Sequence, residues 1–120
     1  MTVEQHEAAM KSIGTTIASL RMKIMGNQLP DAAKDAQQLG LLFGDVERFW
    51  SQNNKPDAVM LAQQARQGAT EAAGAAAAGD SAKANAATSN LGATCKQCHG
   101  VYREGDAQTG YKIKAGTISE

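Results

Sequence analysis

Residues able to face a core recur in the first quarter of the chain at steps that alternate three and four: Val3, His6, Met10, Ile13, Ile17, Leu20 and Ile24. That alternation lays them along one stripe of an α-helix, whereas a strand needs a period of two. The rhythm returns at Ala32, Ala36, Leu39, Phe43, Val46 and Trp50. It returns again at Ala58, Leu61, Ala65, Ala72 and Ala76, and a fourth time at Ala84, Ala87, Leu91, Cys95, Cys98 and Tyr102. A seam this narrow is buried by packing against other helices.

Punctuation between the stripes sets the boundaries. Thr2 followed by Gln5 has the form of a capping box, so the first helix is expected over Val3 to Met25, with Gly26-Asn27 ending it. Pro30-Asp31 starts the second and Pro56-Asp57 the third, as proline suits a first turn. Gly40 and Gly44 interrupt the second weakly and offer room for another backbone to approach. Gly79-Asp80 ends the third, and Asp80 or Ser81 caps a fourth that runs from about Ala82 to Arg103. Four amphipathic helices with short links predict an all-α fold, an antiparallel up-down-up-down four-helix bundle over residues 1–104. Residues 105–120 carry no helical period and read as a short C-terminal extension. It is expected to be irregular, apart from a turn at Thr109-Gly110 and a short extended piece at Tyr111 to Ile113.

The bundle is short of bulk. The chain has 23 Ala but only two Phe, two Tyr and one Trp. Either the helices approach very closely, or something other than side chains fills the middle. Basic and acidic residues balance at 12 each, so no net field draws the chain to nucleic acid or an acidic membrane surface. No stretch approaches the roughly 18 apolar residues of a membrane span. No basic leader followed by an apolar segment is visible, which leaves the compartment open.

Three of the four Cys and His residues fall within five positions, Cys95-Lys96-Gln97-Cys98-His99. On a helix, residues three and four apart share a face, so both thiols and the imidazole lie together. C-x-x-C-H is the spacing of covalent c-type haem attachment: two thiols form thioethers to two vinyl groups, and the next imidazole binds iron. Three other readings compete. A thioredoxin-like disulfide needs the pair at a helix N-terminus after a strand, and here it lies deep in a helix. A zinc site needs four ligands, and only His6 remains elsewhere. A purely structural Cys pair leaves the adjoining His unexplained. A flat apolar macrocycle would also supply the missing bulk.

A C-terminal C-x-x-C-H on the last helix of a four-helix bundle resembles the class II c-type cytochromes, the cytochromes c′ and their low-spin relatives such as cytochrome c-556. The segment from Cys95 to Arg103 is similar to the family's C-x-x-C-H-x-x-[YF]-R ending, and Glu7 to Gly14 to its first helix. The resemblance implies one haem c held by Cys95 and Cys98, with His99 as proximal ligand. It implies a periplasmic protein that works with redox partner proteins, often as a homodimer packed through its first two helices. Here Ile17, Leu20, Met22 and Met25 would supply apolar surface for that contact.

The family divides by what occupies the distal side of iron, and the matching position here is Met10. A thioether there makes a low-spin electron carrier with His99 and Met10 as metal ligands. An unbound Met10 makes a five-coordinate protein that binds NO or CO. His6, one turn earlier, offers bis-histidine ligation as a further alternative. Ile13, Ile17, Phe43 and Trp50 are expected against the ring, and Tyr102 and Arg103 around the proximal side. No Ser/His/Asp set, no paired carboxylates on one helix face and no phosphate loop argue for an enzyme. Electron transfer is the leading expectation, with a haem-free helical interaction module as the rival from another class.

Overall fold

The computed structural model describes the backbone of residues 2–106 and 110–113, and side chains over 2–99. Four helices fill most of it: α1 (Val3–Met25), α2 (Leu29–Gln52), α3 (Pro56–Ala77) and α4 (Ser81–Tyr102). They form an up-down-up-down four-helix bundle, because each link is three residues, 26–28, 53–55 and 78–80, too short for anything but reversal.

Each end has a local cause. Thr2 Oγ1 accepts from the Gln5 N–H at 3.1 Å, and Gln5 Oε1 accepts from the Thr2 N–H at 2.8 Å, completing the capping box. Asp80 Oδ1 accepts from the Lys83 N–H at 3.0 Å and caps α4. Each link turns through one left-handed residue: Asn27 (φ 56°), Asn54 (φ 58°) and Gly79 (φ 76°). The turn after α1 therefore relies on Asn27, not on Gly26 beside it.

The expected seams of α1 and α2 face inward, with one broadening. Leu20, Leu39, Phe43, Val46 and Trp50 are buried, and so is Phe49, which a strict alternation of three and four steps over. In α3 and α4 the core is mostly alanine, with Leu91 and Thr88 the large buried exceptions. Thr88 satisfies its hydroxyl on the Ala84 carbonyl at 2.8 Å.

Close helix approach occurs at a different glycine from those expected. At Gly40 and Gly44 an added Cβ would meet nothing within 4 Å, so neither admits another backbone. At Gly68 it would meet Leu91 Cβ at 3.4 Å and the Ala87 carbonyl at 3.7 Å, so this is where α3 and α4 draw together. Lys23 of α1 pairs with Asp35 of α2 at 2.9 Å, and Ser19 donates to the same oxygen at 2.7 Å. Arg66 of α3 pairs with Glu47 of α2 at 3.1 Å. Sequential helices pack extensively on one another, while the neighbouring pair α1 and α4 makes a thinner contact.

Beyond α4 the backbone departs from the irregular extension expected. Strands β1 (Arg103–Asp106) and β2 (Gly110–Ile113) pair antiparallel, Arg103 opposite Ile113 and Asp106 opposite Gly110. The extended alternation around Tyr111 found a partner in the four residues that follow the helix. Thr109 lies outside the described residues.

Candidate functional site

The thin contact between α1 and α4 opens into a cleft with about 650 Å³ of atom-free space, partly open to solvent. Counting only the room open to water-sized groups, the cleft holds about 150 Å³, below the roughly 300–1,000 Å³ usual for a small-molecule site. Met10, Ile13, Gly14 and Ile17 line it from α1, and Thr94, Cys95, Cys98 and His99 from α4. Phe43 and Val46 of α2 and Leu61, Ala62 and Ala65 of α3 complete the lining.

Sequence and fold together explain why these groups meet. Met10 lies near the start of α1 and His99 near the end of α4. Helices one and four of this topology run antiparallel, so those two ends share a height along the bundle. Cys95, Cys98 and His99 are spaced by one turn and present one face, and each is half-buried. Seven of the residues expected at the site therefore border one space: Cys95, Cys98, His99, Met10, Ile13, Ile17 and Phe43. Trp50 does not line it. Four residues beyond Val46 on α2, Trp50 is buried against His6 and Phe49 instead. The side chains of Tyr102 and Arg103 lie outside the described residues.

His6 sits one turn before Met10 and is 4% exposed. Neither of its ring nitrogens has a hydrogen-bond partner among the described residues. Burial in an apolar, aromatic surround, with repulsion from His99 added, pushes its imidazole down to about 4, so it is neutral at physiological pH. His6 does not line the cleft.

Several lining residues were not singled out from the sequence as site residues. Val46 follows Phe43 by three positions and Gly14 follows Met10 by four, so helical spacing from the named residues would have found both. Leu61, Ala62 and Ala65 carry no chemical signal, and only the packing of α3 places them here.

The chemistry of the lining is specific. It is apolar apart from two thiols, an imidazole, a thioether and the Thr94 hydroxyl, which donates to the Asn90 carbonyl at 3.2 Å. Among the described residues no group of three or more His, Cys, Asp and Glu is arranged to hold a metal ion by itself. The Cys pair also lies far from the start of α4, with no strand before it among the described residues, unlike a thioredoxin-type site. Two thiols, a nitrogen donor and a soft sulfur donor around an apolar slot suit a flat apolar group that carries its own metal.

Comparison with known proteins points the same way. The family model described as Cytochrome C' matches residues 44–103, half of the chain. The match begins within α2, includes the Cys95–His99 motif and leaves out α1 with Met10. No curated protein and no solved structure matches the chain.

Proposed function

The chain belongs to the cytochrome c′ family and is a haem-binding c-type cytochrome, and from that membership we propose that it is a monohaem electron carrier with His99 and Met10 as axial ligands. The observation that carries this reading is that Met10 of α1 and His99 of α4 border the same apolar cleft as Cys95 and Cys98.

The residues fit haem c. Their donor set is complete, and at Gly14 an added Cβ would meet nothing within 4 Å, which leaves room along the α1 wall. When bound, haem supplies an iron that takes up and releases one electron. Cys95 and Cys98 would hold it by thioether bonds, so that it cannot dissociate. His99 offers a ring nitrogen, and Met10 offers a thioether that favours ferrous iron and raises the potential relative to a second imidazole. Ile13, Ile17, Phe43 and Leu61 give the cleft an apolar lining. With both ligands on helices of one bundle, electron transfer would need no ligand exchange.

The proposed setting is the periplasm, with redox proteins as partners. Among the described residues no helix is long and apolar enough to cross a membrane. A homodimer through α1 and α2 is proposed on a smaller surface than the sequence suggests. Leu20 is fully buried and Ile17 lines the cleft, while Met22 and Met25 are exposed.

A visible spectrum of the haem-loaded protein tests the assignment. A narrow ferrous α band with a weak sulfur-to-iron band at the red edge of the ferric spectrum supports it. A broad high-spin spectrum makes the protein a five-coordinate binder of NO or CO, and absence of a Soret band removes both readings.

A further inference from the structure

Gly14 is the residue of the cleft wall that nothing in the fold explains. It lies mid-helix in α1, where glycine weakens the helix relative to alanine. It has no positive φ to accommodate. It also admits no neighbouring helix, because an added Cβ would meet no atom within 4 Å. Gly68 shows the contrast, with Leu91 Cβ at 3.4 Å from the same position. Gly40, Gly44 and Gly74 are equally open, but none of them lines the cleft.

Its neighbours along that wall are bulky. Met10, Ile13 and Ile17 all border the cleft and are buried or half-buried, whereas Gly14 borders it and is exposed. The wall therefore has a gap at one residue.

We propose that Gly14 is the electron port: the opening in α1 through which the ring of the bound haem comes within reach of a redox partner. The inference rests on the haem reading above. The step moves one electron from a one-electron donor to ferric iron, giving ferrous iron, and no bond forms or breaks. What Gly14 contributes is distance, because any side chain at this position would stand between donor and ring.

The test uses the haem-loaded full chain and hexaammineruthenium(II) as an outer-sphere donor, with reduction followed by stopped flow. Gly14→Gln is expected to lower the second-order rate constant severalfold, and Gly14→Ala by less. In both, the midpoint potential and low-spin spectrum stay those of wild type, which separates a blocked approach from a disturbed iron site. Gly74→Gln, on an open helical glycine away from the cleft, should match the wild-type rate. A wild-type rate in Gly14→Gln, or an equal loss in Gly74→Gln, overturns the port and leaves the haem reading intact. Wild-type protein without a Soret band after passage through the haem-attachment machinery overturns that reading and the port with it.

Discussion

The imidazole of His6 lies nearly parallel to the ring of Phe49, with centroids 4.2 Å apart and planes 23° from each other. Trp50 meets both edge-on, at 5.4 and 5.1 Å. The stack buries a histidine that must stay neutral, so folding is coupled to pH. Its folded value is about 4 against 6.5 for an unstructured histidine, so the unfolded chain binds the extra proton between those values. Stability is then complete above about pH 6.5, falls as pH drops through the window and levels off below about 4, a total change of about 3 kcal/mol. Urea unfolding at pH 7 and pH 4.5 measures it. His6→Phe should flatten the profile, and an unchanged slope in that variant would assign the pH dependence to other groups.

Met10→Leu should convert a low-spin spectrum to a high-spin one. The weak red-edge ferric band should vanish, the midpoint potential should fall, and ferrous protein should bind carbon monoxide. Leucine keeps the apolar bulk of the cleft wall and removes only the sulfur. If wild type and variant share one spectrum and one affinity for carbon monoxide, Met10 is a packing residue and the distal side is open.

Covalent attachment has a direct chemical readout. After acid–organic extraction the haem should stay with the polypeptide, whose mass should exceed the sequence value by one haem. Cys98→Ala should leave at most one thioether, seen as a shift of the pyridine haemochrome band. Haem released from the wild type into the organic phase would contradict the roles given to Cys95 and Cys98.

Two glycines of α3 should respond in opposite directions. Gly74 faces open space, so Gly74→Ala should raise stability by up to about 1 kcal/mol through helix propensity. Gly68 faces Leu91 across the contact with α4, so Gly68→Leu should cost about 1–3 kcal/mol by overpacking. Thermal unfolding of the two variants beside wild type decides whether the contact at Gly68 is as close as the structure has it.

The helices were legible because their signals are local. Thr2, Pro30, Pro56 and Gly79 mark ends by backbone chemistry that acts within one turn. The cleft was half legible. Cys95, Cys98 and His99 announce themselves by spacing, and the seam places Met10 at their height. Phe49 and the further alanines of α3, Ala62, Ala69 and Ala75, were not visible as buried, because burial at those positions depends on how wide a face each helix turns inward, and that is settled only by its partners. Gly40 and Gly68 look alike in sequence, and only the distance between helices tells them apart. The strand pairing of Arg103–Asp106 escaped for a similar reason: four residues gain a β partner only when the chain turns back on them.

The thin seam between α1 and α4 bears on how a rigid planar group gets inside a finished bundle. Helices α2, α3 and α4 hold one another through contacts between chain neighbours, and α1 is held mainly by α2. Swinging α1 outward about residues 26–28, with left-handed Asn27 as the pivot, uncovers Cys95, Cys98 and His99 and leaves the other three helices assembled. Such a local opening costs only part of the free energy of global unfolding. Under the proposed ligation, loading is a hinge movement that precedes the covalent bonds: the thioethers would fix the group to α4, and the Met10 bond would hold α1 against it. Amides of α1 should accordingly exchange with solvent before those of α3 in the unloaded chain, and the difference should narrow once the cofactor ties α1 to α4.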